Sequence, residues 1–227
     1  MKKIGLILVI IVAMGIALLP KGVAKAATTI TDCTGLQNMS LNLAESYVLG
    51  NDIDCSATTG WNSGAGFAPV GTNGSEFTGS FNGQGHKIIG LFIDRPSEDY
   101  VGLFGKVQDS SISNLTIQDG SVSGQNMVGS LIGAANGATL SGIFSNSTIN
   151  ANRYGGGVIG WTQSASVTSL TNVHFSGAVV GLANYGFAGL IADNDADATI
   201  TTSSNTGSIS GDDGADYVGG LVGDSDA

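Results

Sequence analysis

Basic residues are scarce in this chain: eight lysines and arginines stand against 18 aspartates and glutamates. Half of the basic residues fall within the first 26 positions, so the remainder keeps only Lys87, Arg95, Lys106 and Arg153. Four bases against 18 acids leave that remainder with a net charge of −14. No cluster of lysine or arginine exists to neutralise phosphates, which excludes nucleic acid and argues against anionic lipid. Cysteine is nearly absent too, with only Cys33 and Cys55, 22 residues apart. A metal site built on that pair would need closer thiols and nearby histidines, and the chain has only His86 and His174. One intramolecular disulfide is the expectation.

The single long apolar run, Ile4 to Leu19, follows Met1-Lys2-Lys3 and precedes the small-x-small triplet Ala24-Lys25-Ala26. Charged start, apolar middle and small-residue end are the parts of a secretory signal peptide, read here as residues 1–26 with cleavage before Ala27. The competing reading is an uncleaved anchor, although roughly 16 apolar residues fall short of the 18 or more of a spanning helix. Cleavage leaves a secreted or cell-surface chain with no membrane insertion.

Glycine is abundant, at 36 residues, and has no three-residue period, which excludes collagen. Apolar residues make up 42% of the chain, enough to bury a core. Glycine alternating with β-branched and aromatic residues points to many short strands joined by tight turns. A phrase of this kind returns five times: Tyr100-Val101-Gly102-Leu103-Phe104-Gly105, then around Leu131-Ile132, Val158-Ile159, Leu190-Ile191 and Leu221-Val222. Steps of 27 to 32 residues between phrases indicate a solenoid or a propeller. Between them run period-two segments such as Ser111-Ile112-Ser113-Asn114-Leu115-Thr116-Ile117, and then short segments such as Gly120-Ser121-Val122-Ser123-Gly124.

Three short strands per repeat and no convincing helix fit one coil of a parallel β-helix better than a four-stranded propeller blade. The chain is therefore expected to be all-β, with residues 27–99 forming the first coils and an atypical amino-terminal cap that protects the open strand edges of the solenoid's end. Residues 100–227 carry the repeats. They end on Asp224-Ser225-Asp226-Ala227, a coil begun and not finished, which suggests part of a longer array.

The glycine phrases resemble the GLUG motif. Tyr47 to Asp54 and Phe77 to Leu91 resemble the segment that commonly precedes such repeats in bacterial and archaeal surface proteins. Asn82 stands where that family usually has Asp, and Ala192 where the fourth phrase should close on glycine. The resemblance implies a right-handed β-helix in an exported, often adhesin-like protein. The motif also occurs in accessory regions of IgA-cleaving metallopeptidases, but no H-E-x-x-H zinc motif is present and no peptidase activity carries over.

Asp193, Asp195 and Asp197 alternate in a loop where carboxylates could converge on calcium, against the plainer reading of a solvated acidic turn; the remaining EF-hand positions are missing. Asp212, Asp213 and Asp216 recur one repeat later. Asp52 and Asp54 could form a hydrolytic carboxylate pair, or could cap turns by accepting backbone N–H groups. Trp61, Trp161, Tyr154 and Tyr185 could stack on sugars or on their counterparts in the next coil. No serine has a plausible partner base. The expectation is a non-enzymatic module for adhesion, ligand display or spacing, with surface glycans or other extracellular proteins as partners and no resident cofactor. The alternative is a carbohydrate-active enzyme of polysaccharide-lyase or hydrolase type, for which the basic residues are too few and too scattered to hold a uronate.

Overall fold

A computed structural model describes residues 26–163, 166–183, 185–195, 198–211 and 217–225, so the signal-peptide reading of residues 1–26 lies almost wholly outside it. The described chain is a parallel β-solenoid of about six coils, as the repeats lead one to expect. Along one side, the strands Ser46–Leu49, Ser80–Asn82, Phe104–Gln118, Ile132–Ser145, Ser169–Phe175 and Thr199–Thr201 pair in sequence, each parallel to the last. Parallel pairing in register sets like residues on one another. Tyr47, Phe81, Ile112, Leu140, Leu170 and Ile200 thus form one inward column. On the opposite side Ile93, Val122, Ile149, Val179 and Ile209 form another. Phe81 through Leu170 and Ile93 through Val179 are fully buried, each such side chain contributing about 1.5–3 kcal/mol of apolar transfer.

The glycine phrase is itself a corner. Val128, Gly155, Phe187 and Val218 stack on one side of it, and Phe104, Ile132, Ile159, Ile191 and Val222 on the next. Within the turn, a Cβ at Gly129, Gly156 or Gly219 would strike the carbonyl oxygen three residues on. Close backbone approach, not a left-handed backbone, demands glycine there. A second corner does use the left-handed region: Asn114, Gly142, Asn172 and Thr202 all have positive φ and occupy equivalent places in four successive coils.

At the amino-terminal end the short strand Thr28–Ile30 pairs with Ser46–Leu49. A short helix, Cys33–Gln37, then runs into a 3₁₀ turn at Asn38–Leu41. Asp32 caps the helix by accepting from the Gly35 N–H at 2.7 Å, and Leu36 and Met39 are buried beneath it. The repeats announce no helix, and this one belongs to the cap. A disulfide joins Cys33 to Cys55, tying the cap to the strand end after Ile53–Asp54. Segment 66–77 then lies along the first repeat, with Val70 N–H donating to the Leu103 carbonyl and Phe77 N–H to the Lys106 carbonyl, both at 2.9 Å.

Two outcomes follow from these contacts. Gly71 combines a φ of +79° with the Lys106 carbonyl and Phe77 nitrogen packed where a Cβ would go. In urea unfolding, Gly71→Ala should lower stability by about 1–3 kcal/mol, while Gly60→Ala, with open space around it, should be near neutral. Reducing the Cys33–Cys55 bridge should cost about 3 kcal/mol, read as the difference between unfolding curves with and without reductant.

Candidate functional site

Of the three residues in the calcium reading, Asp193 and Asp195 lie on the described chain. Asp193 lies in the strand Ile191–Asn194, 8% exposed, in register with Trp161 on one neighbouring coil and Asp224 on the other. Asp195 Oδ2 accepts from the Trp161 indole N–H at 2.9 Å. Asp197, with Asp212, Asp213 and Asp216, lies outside the described residues. Among the described residues no group of three or more acidic, histidine or cysteine side chains gathers as a metal centre. The Tyr154 hydroxyl is pushed above its usual range, first by burial and then by Asp193 and Asp224. Tyr154 packs on Tyr185 with ring centroids 5.4 Å apart, and the Arg153 guanidinium lies 4.5 Å from the Tyr185 ring centre. Trp61 packs, half-buried, against the core.

Asp52 and Asp54 each bind backbone. Asp54 Oδ1 accepts from Ser56 N–H at 2.9 Å, closing a local turn. Asp52 Oδ1 accepts from Lys87 N–H at 3.0 Å and lies 3.2 Å from His86 Nδ1, joining two coils. The Lys87 N–H, and after it His86, hold the Asp52 carboxyl below the usual aspartate range.

A groove lies elsewhere, on the outer surface of the coils that carry Phe104–Gln118, Ile132–Ser145, Ser169–Phe175 and Ser204–Asn205. Its volume is about 390 Å³. Along its floor Thr116, Phe144, His174 and Ser204 stand in register on four successive coils. Phe144 is 46% exposed and stacks on His174 with centroids 4.9 Å apart and planes 29° apart. His174 Nε2 lies 2.9 Å from Asn172 Oδ1 and Nδ1 lies 2.7 Å from Ser204 Oγ. The amide oxygen can only accept, so Nε2 donates to Asn172 Oδ1.

The other wall is polar and held in place. Lys87 Nζ donates to Gln118 Oε1 at 3.0 Å, and Gln118 Nε2 donates to Asp119 Oδ2 at 3.0 Å. Asn146 Nδ2 donates to Asp119 Oδ1 at 2.9 Å, and Asp119 N–H donates back to Asn146 Oδ1 at 2.6 Å. Those two amides, Gln118 first, hold the Asp119 carboxyl below its usual range.

Reading the strands by alternation misses this groove. From Leu140 inward, period two puts Phe144 inside and Ile143 outside. The left-handed residue Gly142, φ +63°, reverses the phase, so Ile143 turns in and Phe144 turns out. The signal was available only as a recurring i, i+3, i+5 spacing: Ile112, Leu115, Ile117 and Leu170, Val173, Phe175 are all buried.

No family model matches the chain. Over 145 residues it is 42% identical to halomucin of Haloquadratum walsbyi, a match covering 61% of this chain and 2% of halomucin. Over 100 residues it is 34% identical to a provisionally assigned Gly-rich membrane protein of Evansella cellulosilytica, covering 43% of this chain and 12% of that one. The chain thus spans only a small part of the length of either relative. A crystal structure of a provisionally assigned immunoglobulin A1 protease from Bacteroides ovatus superposes with a TM-score of 0.60 at 19% identity, covering 87% of this chain and 71% of that one. That likeness is one of fold.

The Asp52 bonds generate a pH-dependent outcome. A carboxyl held lower in the folded chain than in the unfolded one stabilises above the usual aspartate range, and the effect fades as pH falls through the folded value. Asp52→Ala should therefore be less stable than the wild type in denaturant titrations at pH 7, and the gap should narrow steadily as the solution is acidified below pH about 4.

Proposed function

We propose that this chain is a non-enzymatic, exported β-solenoid module of the GLUG type, working at the cell surface as a rigid element for adhesion, ligand display or spacing. The observation that carries this reading is the unbroken inward stack from Tyr47 to Ile200, which gives a stiff rod with its polar side chains turned outward. Each coil rests on its neighbours, so length and lateral surface, not an enclosed chamber, are what such a rod offers. Likeness to halomucin and to a Gly-rich membrane protein supports a place at the cell surface.

The resemblance in fold to an immunoglobulin A1 protease does not bring peptidase chemistry with it, because neither His86 nor His174 is followed by glutamate. The engagement of Asp52 and Asp54 by backbone N–H groups favours structural work for both over acid–base work. Expression of the full chain in a bacterial host tests the reading. The product should begin at Ala27, be cut by protease added to intact cells or be found in the medium, and release no fragments from neutral or uronate polysaccharides. Retention in the cytosol, or release of shortened or unsaturated sugars, would overturn it.

A further inference from the structure

On the outer groove, one coil is built inside out. The inward column that runs Ile88, Ile117, Ser145, Phe175 places a serine, 2% exposed, where its neighbours place large apolar groups. The adjacent residue, Phe144, stands outside. Exchanging the two would suit the core better, since the buried Ser145 hydroxyl must be satisfied locally, by Ser147 Oγ at 3.2 Å. A chain that breaks its own pattern at one place usually does so for a purpose at the surface.

The surroundings define the purpose. Phe144 is stacked on one face by His174, stands in register with the short side chain of Thr116 on the preceding coil, and is 46% exposed. That leaves a step: an aromatic face rising from a hydroxyl floor, with the amides of Gln118 and Asn146 beside it. Both amides are fixed by Asp119, and His174 is fixed by Asn172 and Ser204, so the step is organised before anything binds. The lining itself carries no acidic or basic side chain apart from His174; Lys87 and Asp119 stand one hydrogen bond behind its amides and oppose each other in charge, in a chain whose surplus of carboxylates would repel an anion.

A flat aromatic face beside uncharged donors and acceptors is complementary to a pyranose, which offers an apolar face of C–H groups and a rim of hydroxyls. Successive coils lie about 4.8 Å apart, a spacing comparable with one hexose unit, so a sugar chain laid along the axis would meet hydroxyl and amide groups at every unit. We infer that the groove formed by Thr116, Gln118, Phe144, Asn146, His174 and Ser204 binds a neutral oligosaccharide, with one sugar ring against Phe144. This inference rests on the non-enzymatic reading above and gives that module a ligand class.

The test uses the exported chain with immobilised hexamers of glucose, mannose, galactose and N-acetylglucosamine, and with hexagalacturonate as the charged counterpart. At least one neutral hexamer should bind and hexagalacturonate should not. Phe144→Ala removes the ring, and Thr116→Trp leaves the ring but covers its face. Each should weaken binding by about tenfold or more with an unchanged melting temperature, while Leu182→Ala, exposed and outside the groove, should bind as the wild type. Absence of binding to every neutral hexamer at millimolar concentration, or binding indifferent to both substitutions, would overturn the groove. Chromatography of the bound sugar separates the two readings: an intact sugar retains the non-enzymatic one, and shortened products would overturn it whatever Phe144 does.

Discussion

Parallel, in-register pairing of each coil with the next is the constraint from which the rest of this structure follows. A strand in the solenoid satisfies its backbone donors and acceptors through its two neighbours, and a slip of one residue would turn every side chain to the wrong face. Register is therefore held from coil to coil among the described strands, with one shift between Arg95 and Asp99. Whatever stands at one position must tolerate its equivalent about 4.8 Å above and below. Columns such as Ile93, Val122, Ile149, Val179 and Ile209 are the result, because like apolar groups stack without cost.

The corners obey the same rule, since a turn in one coil must nest on the turn beneath it. At the glycine phrase the nesting brings a carbonyl into the space of a side chain, and at the Asn114–Gly142–Asn172–Thr202 corner it imposes a left-handed residue in four coils. Asparagine and glycine accept that backbone readily, whereas the β-branched Thr202 does so against its preference. The stack around Thr202 determines its conformation more than its own side chain does.

Repetition made the rod legible in the sequence, because five glycine phrases at a nearly constant step can be read without knowing any contact. Cys33 and Cys55 were legible for a simpler reason: two cysteines in one chain have one intramolecular partner each, and the bridge is present. What escaped was everything that depends on phase. Strict alternation cannot see a left-handed residue inside a strand, so it hides both the inward Ser145 and the outward Phe144. The helix Cys33–Gln37 escaped because a cap, used once, leaves no period to find. Asp195 accepts from the Trp161 indole one coil away, a contact across 34 residues that no local pattern reveals.

The constraint of register also bears on charge. Two like charges in one outward column would sit near enough to repel by about 1 kcal/mol at 4 Å even in water, and by more where the dielectric falls. Only 11% of the residues are charged, and the outward columns are filled largely by serine, threonine and asparagine, which can stack on themselves at no such penalty. Where acids do meet in register, as Asp193 and Asp224 do, the neighbouring positions of the same column are Trp161, Ala134 and Lys106. A long ladder of one sign is thus avoided by interposing neutral residues. The same economy leaves the outward columns rich in hydroxyls and amides.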